Sequence, residues 1–296
     1  MSAFPDFPDL RAEGALELRY EDIAQDGRPR LMALPPALGA VWRGVALPPE
    51  VRESMLSAGI IPILTRLVVR ADDGPFAIEA PFRVSGSFEL AHEPGVRGGA
   101  DRIFLDVRAH VRGPLGRTNL APPERAGEEV DAGDVLAEHV FTRPFAPKEE
   151  RKVTSLRFGD GDFVPPRARI FKAPIATIDR PTSPALDAWA RDETVLVMGL
   201  THTDSNQHVN SLVYPELFEE AVLRRLASRG VRTPLLAREL EIAYRRPSFA
   251  GDALVIALQT FDGPGGIEAV GAFFDASDAR DTPPERARAY VRMALR

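Results

Sequence analysis

The stretch HTDSNQHVNSLVYPELFEE (202–220) joins a polar run to an apolar helix, and the interpretation of the whole chain starts from it. Hydrogen-bonding side chains occupy every second position of the run, at His202, Asp204, Asn206, His208 and Asn210. Apolar side chains then fall on one stripe of a helix, at Val213, Leu217, Ala221, Val222 and Leu226. A carboxylate just before a helix lies near its unpaired N–H groups and the positive end of its dipole. The pattern therefore indicates a polar loop at a helix N-terminus.

The composition is that of a globular protein and excludes several kinds of site. Of the 296 residues, 44% are hydrophobic and 27% charged, and none is cysteine, which excludes disulfides, thiolate metal sites and a cysteine nucleophile. The formal net charge is −6 with no block of like charges, so we expect no nucleic-acid partner. The longest apolar stretch, 58–69, is interrupted by Thr65 and Arg66 and is shorter than the roughly 20 residues that cross a bilayer. The N-terminus does not resemble a signal peptide, and we expect a cytoplasmic protein without a membrane span.

The sequence repeats itself. At an offset of 166 positions, AQDGRPRLMAL (24–34) matches ARDETVLVMGL (190–200), and LPPEVRES (47–54) matches VYPELFEE (213–220). The offset then becomes 173, and Leu67, Phe76, Ala77, Ala80 and Phe88 recur as Leu240, Phe249, Ala250, Ala253 and Phe261. The change of seven residues is about two helical turns, which keeps the buried face in phase. The order of these matches predicts a duplication, with repeats at 1–150 and 151–296.

Each copy reads as a short strand, a loop, one amphipathic helix and several strands. The predicted strands are 66–71, 81–90, 102–111 and 135–145 in the first copy, and 240–244, 252–261, 266–276 and 287–295 in the second. One helix against a largely antiparallel sheet predicts an α+β fold, and two such sheets joined edge to edge would bury what one helix cannot cover. We expect 112–134 to be a long surface loop and 147–166 to carry the crossover between the copies.

Only the second copy has the polar loop. At the offset of 166, TDSNQH (203–208) lies opposite ALGAVW (37–42), which contains no Asp, Asn or His. A loop that merely connects a strand to a helix would tolerate similar residues in both copies. We therefore predict that the polar site is lost from the first repeat, and that the second repeat carries the functional loop.

The residue types of this loop suit acyl chemistry. A carboxylate at Asp204 could activate a water molecule as a general base, or attack a carbonyl carbon directly. Asn206 could donate to the carbonyl oxygen or fix the water, and His208 could orient either group or carry a proton. The helix N-terminus could hold the oxygen on which negative charge develops. Such a site requires a thioester or a similar acyl group, with its tail in an apolar slot.

The segment TDSNQHVNSLVYPELFEE (203–220) resembles the Asp-x-Asn-x-His-Val-Asn…Tyr…Glu signature of hotdog-fold thioesterases, especially the acyl-ACP thioesterases of plants and bacteria. The resemblance implies a tandem double hotdog, each half a curled antiparallel sheet around one central helix, that hydrolyses fatty acyl thioesters in lipid metabolism and fatty acid biosynthesis. It places Asp204, Asn206 and His208 in the catalytic loop, with Asn210 and Tyr214 as candidate substrate-binding residues. The spelling typical of acyl-CoA thioesterases is also partly met, at Thr203, Asp204, Tyr214, Phe218, Glu219 and Ala221.

A second segment, LEIAYRRPSFAGDALV (240–255), resembles the strand on which plant acyl-ACP thioesterases carry an acidic or cysteine residue directly after Tyr-Arg-Arg. Here Pro247 and Ser248 occupy that place. Either Asp204 alone acts as the base, or the second copy binds acyl groups without cleaving them. Arg245 and Arg246 are candidates to meet the phosphates of a pantetheine-bearing partner, and a solvated strand end is the alternative.

Other interpretations stay open at this point. Asp and Asn often form turns and helix caps, His208 could be a hydrogen-bonded structural residue, and Tyr214 could anchor the helix. We expect no cofactor and no metal, because the spacing of His202, Asp204 and His208 matches no ligand pattern. Besides a thioesterase for acyl-CoA or acyl carrier protein thioesters, the alternatives are a hotdog hydratase or dehydratase and a non-catalytic acyl-binding protein. A homodimer is also allowed.

Overall fold

The fold is described from a computed structural model of the chain, which describes residues 10–24, 26–44, 49–72, 74–96, 98–117, 121–158, 161–231, 235–279 and 282–296. Residues 1–9 of the first predicted repeat, and residues 47–48 of its matched helical segment, lie outside this description.

The α-helices are α1 (Ala37–Gly44), α2 (Pro49–Ser57) and α3 (Val213–Ser228) among the described residues. The strands there are β1 (Leu10–Leu16), β2 (Ile61–Ala71), β3 (Phe82–Pro94), β4 (Ala100–Pro114), β5 (Glu129–Thr142), β6 (Leu156–Phe158), β7 (Gly161–Phe163), β8 (Ala190–Arg191), β9 (Leu196–Val197), β10 (Ala237–Tyr244), β11 (Ala253–Gly263), β12 (Gly266–Asp275) and β13 (Ala289–Leu295). Short 3₁₀ turns lie at Tyr20–Asp22, Leu31–Ala33, Lys148–Glu150, Pro174–Ile178, Leu200–His202 and Pro284–Arg286.

The first compact unit comprises Met1–Pro29, Leu34–Thr65 and Asp72–Phe171. Its strands β1, β3, β4 and β5 pair antiparallel in that order, and β2 follows β5. Helix α1 packs on β1, β3, β4 and β5. It buries Ala37, Ala40 and Val41 there, so the apolar face of a short helix closes one side of this sheet.

The second compact unit comprises Arg30–Ala33, Arg66–Ala71 and Lys172–Arg296. Its antiparallel strand order is the second part of β2, then β10, β13, β12, β11 and β8, with β9 also pairing with β11. Helix α3 contacts β10, β11 and β13. The predicted boundary at 150/151 falls inside the last segment of the first unit, and the two hotdog repeats with those bounds stay a prediction.

The two units share one order of elements. Along the chain, each unit has an edge strand, then helical structure, then four long strands. The first of these four strands lies at the opposite side of that unit's sheet from the edge strand. The sheet order is β1-β3-β4-β5-β2 in one unit and β8/β9-β11-β12-β13-β10 in the other. The predicted strands overlap β2 to β5 and β10 to β13, so the paired assignment of strands from the 173 offset agrees with the topology.

Parts of the first copy differ from the expectation. Its edge strand is β1, upstream of the matched segment 24–34, and the single helix expected there is replaced by α1 and α2. Residues 37–42, which the 166 offset set opposite the polar loop, belong to α1, so their apolar character follows from packing on the sheet. The sequence difference between residues 37–42 and 203–208 is therefore a difference between a helix and a loop. It is not evidence that the first copy has lost a site.

The loop expected at 112–134 is also shorter than predicted. Strand β4 continues to Pro114 and β5 begins at Glu129, with a register shift between Val111 and Arg112. Gly and Pro in this segment suggested a loop, yet Gly113 lies within the strand against the ring of Phe82. The expected crossover segment 147–166 contains one 3₁₀ turn and the small hairpin of β6 and β7.

Helices α1 and α3 each approach their sheet at a glycine. A Cβ on Gly271 of β12 would lie 2.4 Å from Cε2 of Phe218 in α3 and 2.6 Å from the carbonyl oxygen of Ala257. In the first unit a Cβ on Gly86 of β3 would lie 2.2 Å from Cγ2 of Val41 in α1. Because the side chain is missing, the helix residue occupies its place and the layers close without a void.

A buried carboxyl group lies on β4 of the first unit. Asp106 is 2% exposed and pairs across the strands with Glu138, while Arg169 Nη1 lies 3.5 Å from Asp106 Oδ2 and 2.8 Å from Glu138 Oε1. Among the described residues, Asp106 Oδ1 has no hydrogen-bond partner. Burial raises the pKa of Asp106 to about 6; Arg169 opposes this rise and Glu138 adds to it.

We predict that Gly271→Ala destabilises the protein by about 1–3 kcal/mol, because the added methyl group overlaps a backbone oxygen as well as the Phe218 ring. Urea unfolding followed by circular dichroism measures the loss. Gly199→Ala is the control, since its Cβ would meet only Thr201 Oγ1 at 3.8 Å. Equal stability of the two variants would contradict the close approach of α3.

We also predict that Asp106 makes stability depend on pH. Its pKa of about 6 in the folded chain lies above the ordinary 3.8, so its stabilising contribution is complete below about pH 4 and is lost as pH rises through about 6. The stability difference between wild type and Asp106→Asn should fall by about 3 kcal/mol between about pH 3 and pH 7, because the pKa rises from 3.8 to about 6 and each pKa unit is worth about 1.4 kcal/mol. Urea unfolding at several pH values checks this, and a constant difference would refute it.

Candidate functional site

The polar run forms a tight turn immediately before α3. Thr203 and Val209 form an antiparallel bridge, the Asp204 N–H donates to the carbonyl oxygen of His208 at 3.1 Å, and the Gln207 N–H donates to that of Asp204 at 3.0 Å. These main-chain bonds fix the reversal of the chain without help from a buried side chain. We call residues 203–209 the acid turn.

Asp204 is held in part by the acid turn itself. Its Oδ1 accepts the N–H of Asn206 at 2.8 Å, the local hydrogen bond for which Asp is favoured in turns. Within the described part of the chain, Oδ2 accepts no hydrogen bond, and the residue is partly exposed. The turn-forming interpretation and the catalytic one are therefore compatible, because they use different oxygens of one carboxylate.

Gln207 has a backbone conformation that favours glycine. Its φ is +65°, and among the described non-glycine residues it alone has a positive φ. Its side chain is exposed, so no buried contact of the side chain accounts for the residue. The hydrogen bonds on both sides of it hold the backbone in this region.

The connection from the acid turn to α3 runs through Asn210. Its side-chain Oδ1 accepts the Leu212 N–H at 2.8 Å, and its carbonyl oxygen accepts the Val213 N–H at 3.1 Å. Pro215, the third residue of the helix, has no N–H to offer. Two of the first three helical residues thus provide no free N–H, and Tyr214 is the one of these three that has an N–H not used by Asn210. Asn210 organises the helix start through its Oδ1 and its carbonyl oxygen, and its role in substrate binding stays a prediction.

The two histidines of the run have different surroundings. His202 Nδ1 accepts the Gly199 N–H at 3.0 Å, and its carbonyl oxygen accepts the Asn210 N–H at 2.9 Å, so it is tied into the base of the turn. His208 is partly exposed, and no hydrogen bond reaches its ring from any described residue. The structure joins Asp204 to Asn206 through its carboxylate and the Asn206 N–H, and to His208 through main-chain atoms, with no hydrogen bond between two side chains of the three.

Tyr214 packs beneath the turn. It is 3% exposed, and its ring meets those of Tyr244 and Phe273 edge-on, with centroids 5.9 and 5.1 Å away. Burial raises the pKa of its hydroxyl group, while hydrogen bonding to Ser248 opposes the rise. The Tyr244 hydroxyl donates to the Ser211 carbonyl at 2.8 Å, which links strand β10 to the helix start. These contacts favour the helix-anchoring interpretation of Tyr214.

Arg245 and Arg246 lie at the end of β10 and are exposed. The Arg245 guanidinium donates to the carbonyl oxygen of Ala287 at 3.4 Å, and that of Arg246 donates to the carbonyl oxygen of Arg286. Neither forms an ion pair with a carboxylate of the described residues, so both keep a charge that an anion could use.

Sequence reasoning missed a partly buried polar cluster next to the acid turn. Arg288 Nη1 lies 2.7 Å from the carbonyl oxygen of Pro247, 2.8 Å from Asp252 Oδ2 and 3.3 Å from Ser248 Oγ, and its Nη2 lies 2.5 Å from Asp275 Oδ1. These five residues are called the Arg288 cluster. No spacing in the sequence indicated it, because its members come from three separate segments.

Ser248 explains the departure after Tyr-Arg-Arg. The residue is fully buried, at 0% exposure, so it cannot meet a substrate as an acid or thiol would. Its carbonyl oxygen accepts the Val209 N–H at 2.7 Å, which ties the segment after β10 to the acid turn. The role of this position is structural.

The described residues contain no group of three or more His, Asp or Glu side chains placed to hold a metal ion. Nor is any helix among them long and apolar enough to cross a membrane.

No protein-family model and no curated protein match the sequence. Solved structures match over nearly the whole chain. A crystal structure of an acyl-ACP thioesterase from Bacteroides thetaiotaomicron aligns with a TM-score of 0.59 and 14% identity, covering 97% of this chain and 98% of that one. A 12:0-ACP thioesterase from Umbellularia californica aligns with a TM-score of 0.59 and 14% identity, covering 97% and 94%.

At this level of identity the likeness establishes the fold. The chain has the α+β double-hotdog fold, and the resemblance inferred from residues 203–220 is confirmed at that level. The likeness extends over both units, which a match to the acid turn alone would not give.

We predict that the fold depends on the backbone conformation at position 207. Gln207→Val should destabilise the protein by about 1–2 kcal/mol, because a β-branched residue is strained at positive φ, whereas Gln207→Asn should be tolerated. Thermal unfolding compares the two with Ser205→Val, an exposed neighbour without a positive φ. If Gln207→Val is no less stable than Ser205→Val, the turn is not held as described.

Proposed function

We propose that this chain is a thioesterase that hydrolyses acyl thioesters of coenzyme A or of an acyl carrier protein. Full-length likeness in fold to two acyl-ACP thioesterases supports the class. The observation that carries the proposal is the acid turn, which leaves one oxygen of the partly exposed Asp204 carboxylate without a partner among the described residues, directly before α3.

Asp204 acts as general base or nucleophile. As a base, Oδ2 removes a proton from water while the water oxygen bonds to the acyl carbon. The tetrahedral oxyanion then collapses, the C–S bond breaks, and the thiolate takes up the proton, so the products are a carboxylic acid and a free thiol. As a nucleophile, the carboxylate bonds to the acyl carbon and the C–S bond breaks, which releases the thiolate and leaves a mixed anhydride. Water then cleaves the anhydride, which frees the carboxylic acid and regenerates the Asp204 carboxylate as the thiolate takes up the released proton.

Asn206 and His208 act on the carbonyl oxygen of the thioester and on the proton that is transferred. Both side chains lie outside the core on the two limbs of the acid turn. The Asn206 amide can donate to the carbonyl oxygen, and the His208 ring can orient the reacting groups or carry a proton. The Tyr214 N–H at the helix start can add a second donor to the developing charge.

Arg245 and Arg246 bind the phosphate-bearing part of the thioester. A guanidinium matches a phosphate with two parallel hydrogen bonds, and both residues are exposed without a carboxylate partner in the described chain. The cytoplasmic location, the homodimer and the role in fatty acid biosynthesis stay predictions.

We expect wild-type protein to release free thiol from members of a panel of acyl-CoA and acyl carrier protein thioesters. Asp204→Asn should lower kcat on the accepted substrates by on the order of 10²-fold, because the base is lost. The amide oxygen still accepts the Asn206 N–H, so the turn should persist. A thiol-detecting dye follows the reaction.

Ser205→Ala, in the same turn and exposed, is the control and should keep its activity. Hydrolysis by Asp204→Asn at the wild-type rate would remove Asp204 from the mechanism. Saturable acyl binding without thiol release by wild type would replace the proposal with a non-catalytic acyl-binding protein.

We further expect Arg246→Gln to raise KM for an acyl-CoA by about 5- to 20-fold, the loss of about 1–2 kcal/mol in a phosphate contact, with kcat little changed. The same acyl group carried on a short thiol without phosphate is the control substrate and should show no change. Equal effects on both substrates would contradict a phosphate contact.

A further inference from the structure

The Arg288 cluster lies between a strand pair and the acid turn. Arg288 begins the approach to β13, and its N–H donates to the carbonyl oxygen of Phe273 at 2.7 Å. Its own carbonyl oxygen accepts the N–H groups of Arg245 and Arg246 at 2.8 and 3.2 Å. Main chain and side chain of one residue therefore hold the segment that leaves β10.

A continuous series of hydrogen bonds leads from this arginine to the acid. The Arg288 guanidinium binds the Pro247 carbonyl, and the next carbonyl, of Ser248, accepts the Val209 N–H. One residue earlier, the carbonyl of His208 accepts the Asp204 N–H. The position of Asp204 therefore depends on Ser248 and Arg288, which are about 40 and 80 positions away in the sequence, as well as on the acid turn itself.

The guanidinium is fixed in place by two carboxylates. Burial acts against its charge, but Asp275 and Asp252 hold the pKa of Arg288 above its ordinary value. A guanidinium that stays charged takes no part in proton transfer. It is also only 16% exposed as a side chain, which leaves it a geometric role.

We propose that Arg288 is a positioning residue, which holds the 247–248 backbone and through the Ser248 carbonyl fixes the acid turn that presents Asp204 to the acyl carbon. This inference rests on the proposed function. The planar fork of the guanidinium meets the Pro247 carbonyl and both carboxylates at once, and the single ammonium group of a lysine cannot span the same three acceptors.

The test compares Arg288→Lys with Arg292→Lys. Arg292 lies on β13, the strand that Arg288 precedes, is partly buried, and donates to the carbonyl oxygen of Asp179 rather than to the 247–248 segment. Arg288→Lys should lower kcat by about 10-fold or more, because small misplacement of a catalytic group has large effects, and should leave KM within about twofold. Arg292→Lys should leave both constants near wild type.

A double mutant separates positioning from a general loss of structure. In the Asp204→Asn background, Arg288→Lys should cause no further fall in kcat, since there is no base left to position. A full additional 10-fold fall would overturn the proposal, as would equal kcat values for Arg288→Lys and Arg292→Lys.

Hydrogen–deuterium exchange gives a readout that does not need activity. Arg288→Lys should speed exchange of the Val209 and Asp204 amides relative to both wild type and Arg292→Lys, while α3 amides stay protected. Unchanged exchange at Val209 would overturn the positioning role. If wild type hydrolyses no thioester, the proposed function fails, and faster exchange at Val209 still supports the link from Arg288 to the turn.

Discussion

The packing of α3 on the sheet of the second unit is the constraint on which the candidate site depends. The helix buries Tyr214, Pro215, Phe218, Ala221, Val222 and Leu226, and Phe218 lies where Gly271 has no side chain. Full burial of one such aromatic side chain is worth about 2–3 kcal/mol. Because the helix is seated by these contacts, its first residue has a fixed place, and the chain before it must reverse within a few residues.

This requirement explains why the acid turn is built from main-chain bonds. The turn is tied to α3 through Asn210 and to the segment after β10 through the Val209 N–H, so both of its ends are anchored. One carboxylate oxygen of Asp204 completes the turn, and the other accepts no hydrogen bond from a described residue. The side chain that stabilises the turn is therefore also the one to which the proposed mechanism assigns the chemistry.

The elements with strong local patterns could be predicted from the sequence, and those that depend on distant partners could not. The long strands are apolar runs or alternate apolar and polar residues, and the apolar stripe of α3 is regular, so both were found. Strand β1 lacks this signal because only Ala12 and Leu16 of its residues are buried. The apolar residues of α1 were interpreted as a loop only because the offset of 166 aligns residues 37–42 with the acid turn.

The candidate site was predicted where its residues are neighbours in sequence. Asp204, Asn206 and His208 were found together because they lie within five residues, whereas Arg288 meets Pro247, Asp252 and Asp275 only in the folded sheet. Burial of Ser248 was also invisible, since a serine after two arginines is typical of an exposed strand end. Contacts between residues that are far apart in the sequence produce no periodic pattern in it.

The two-residue strands β8 and β9 have a consequence for association of the molecule. They form the border of the second unit's sheet beyond β11, and each presents very little unpaired backbone. A long, flat border would offer a template for another chain to add its own strand, which is how many β-rich proteins aggregate. Because β8 and β9 are so short, this edge of the sheet offers little backbone with which a second chain could pair. Any self-association at this edge therefore uses side-chain surfaces rather than continuation of the sheet.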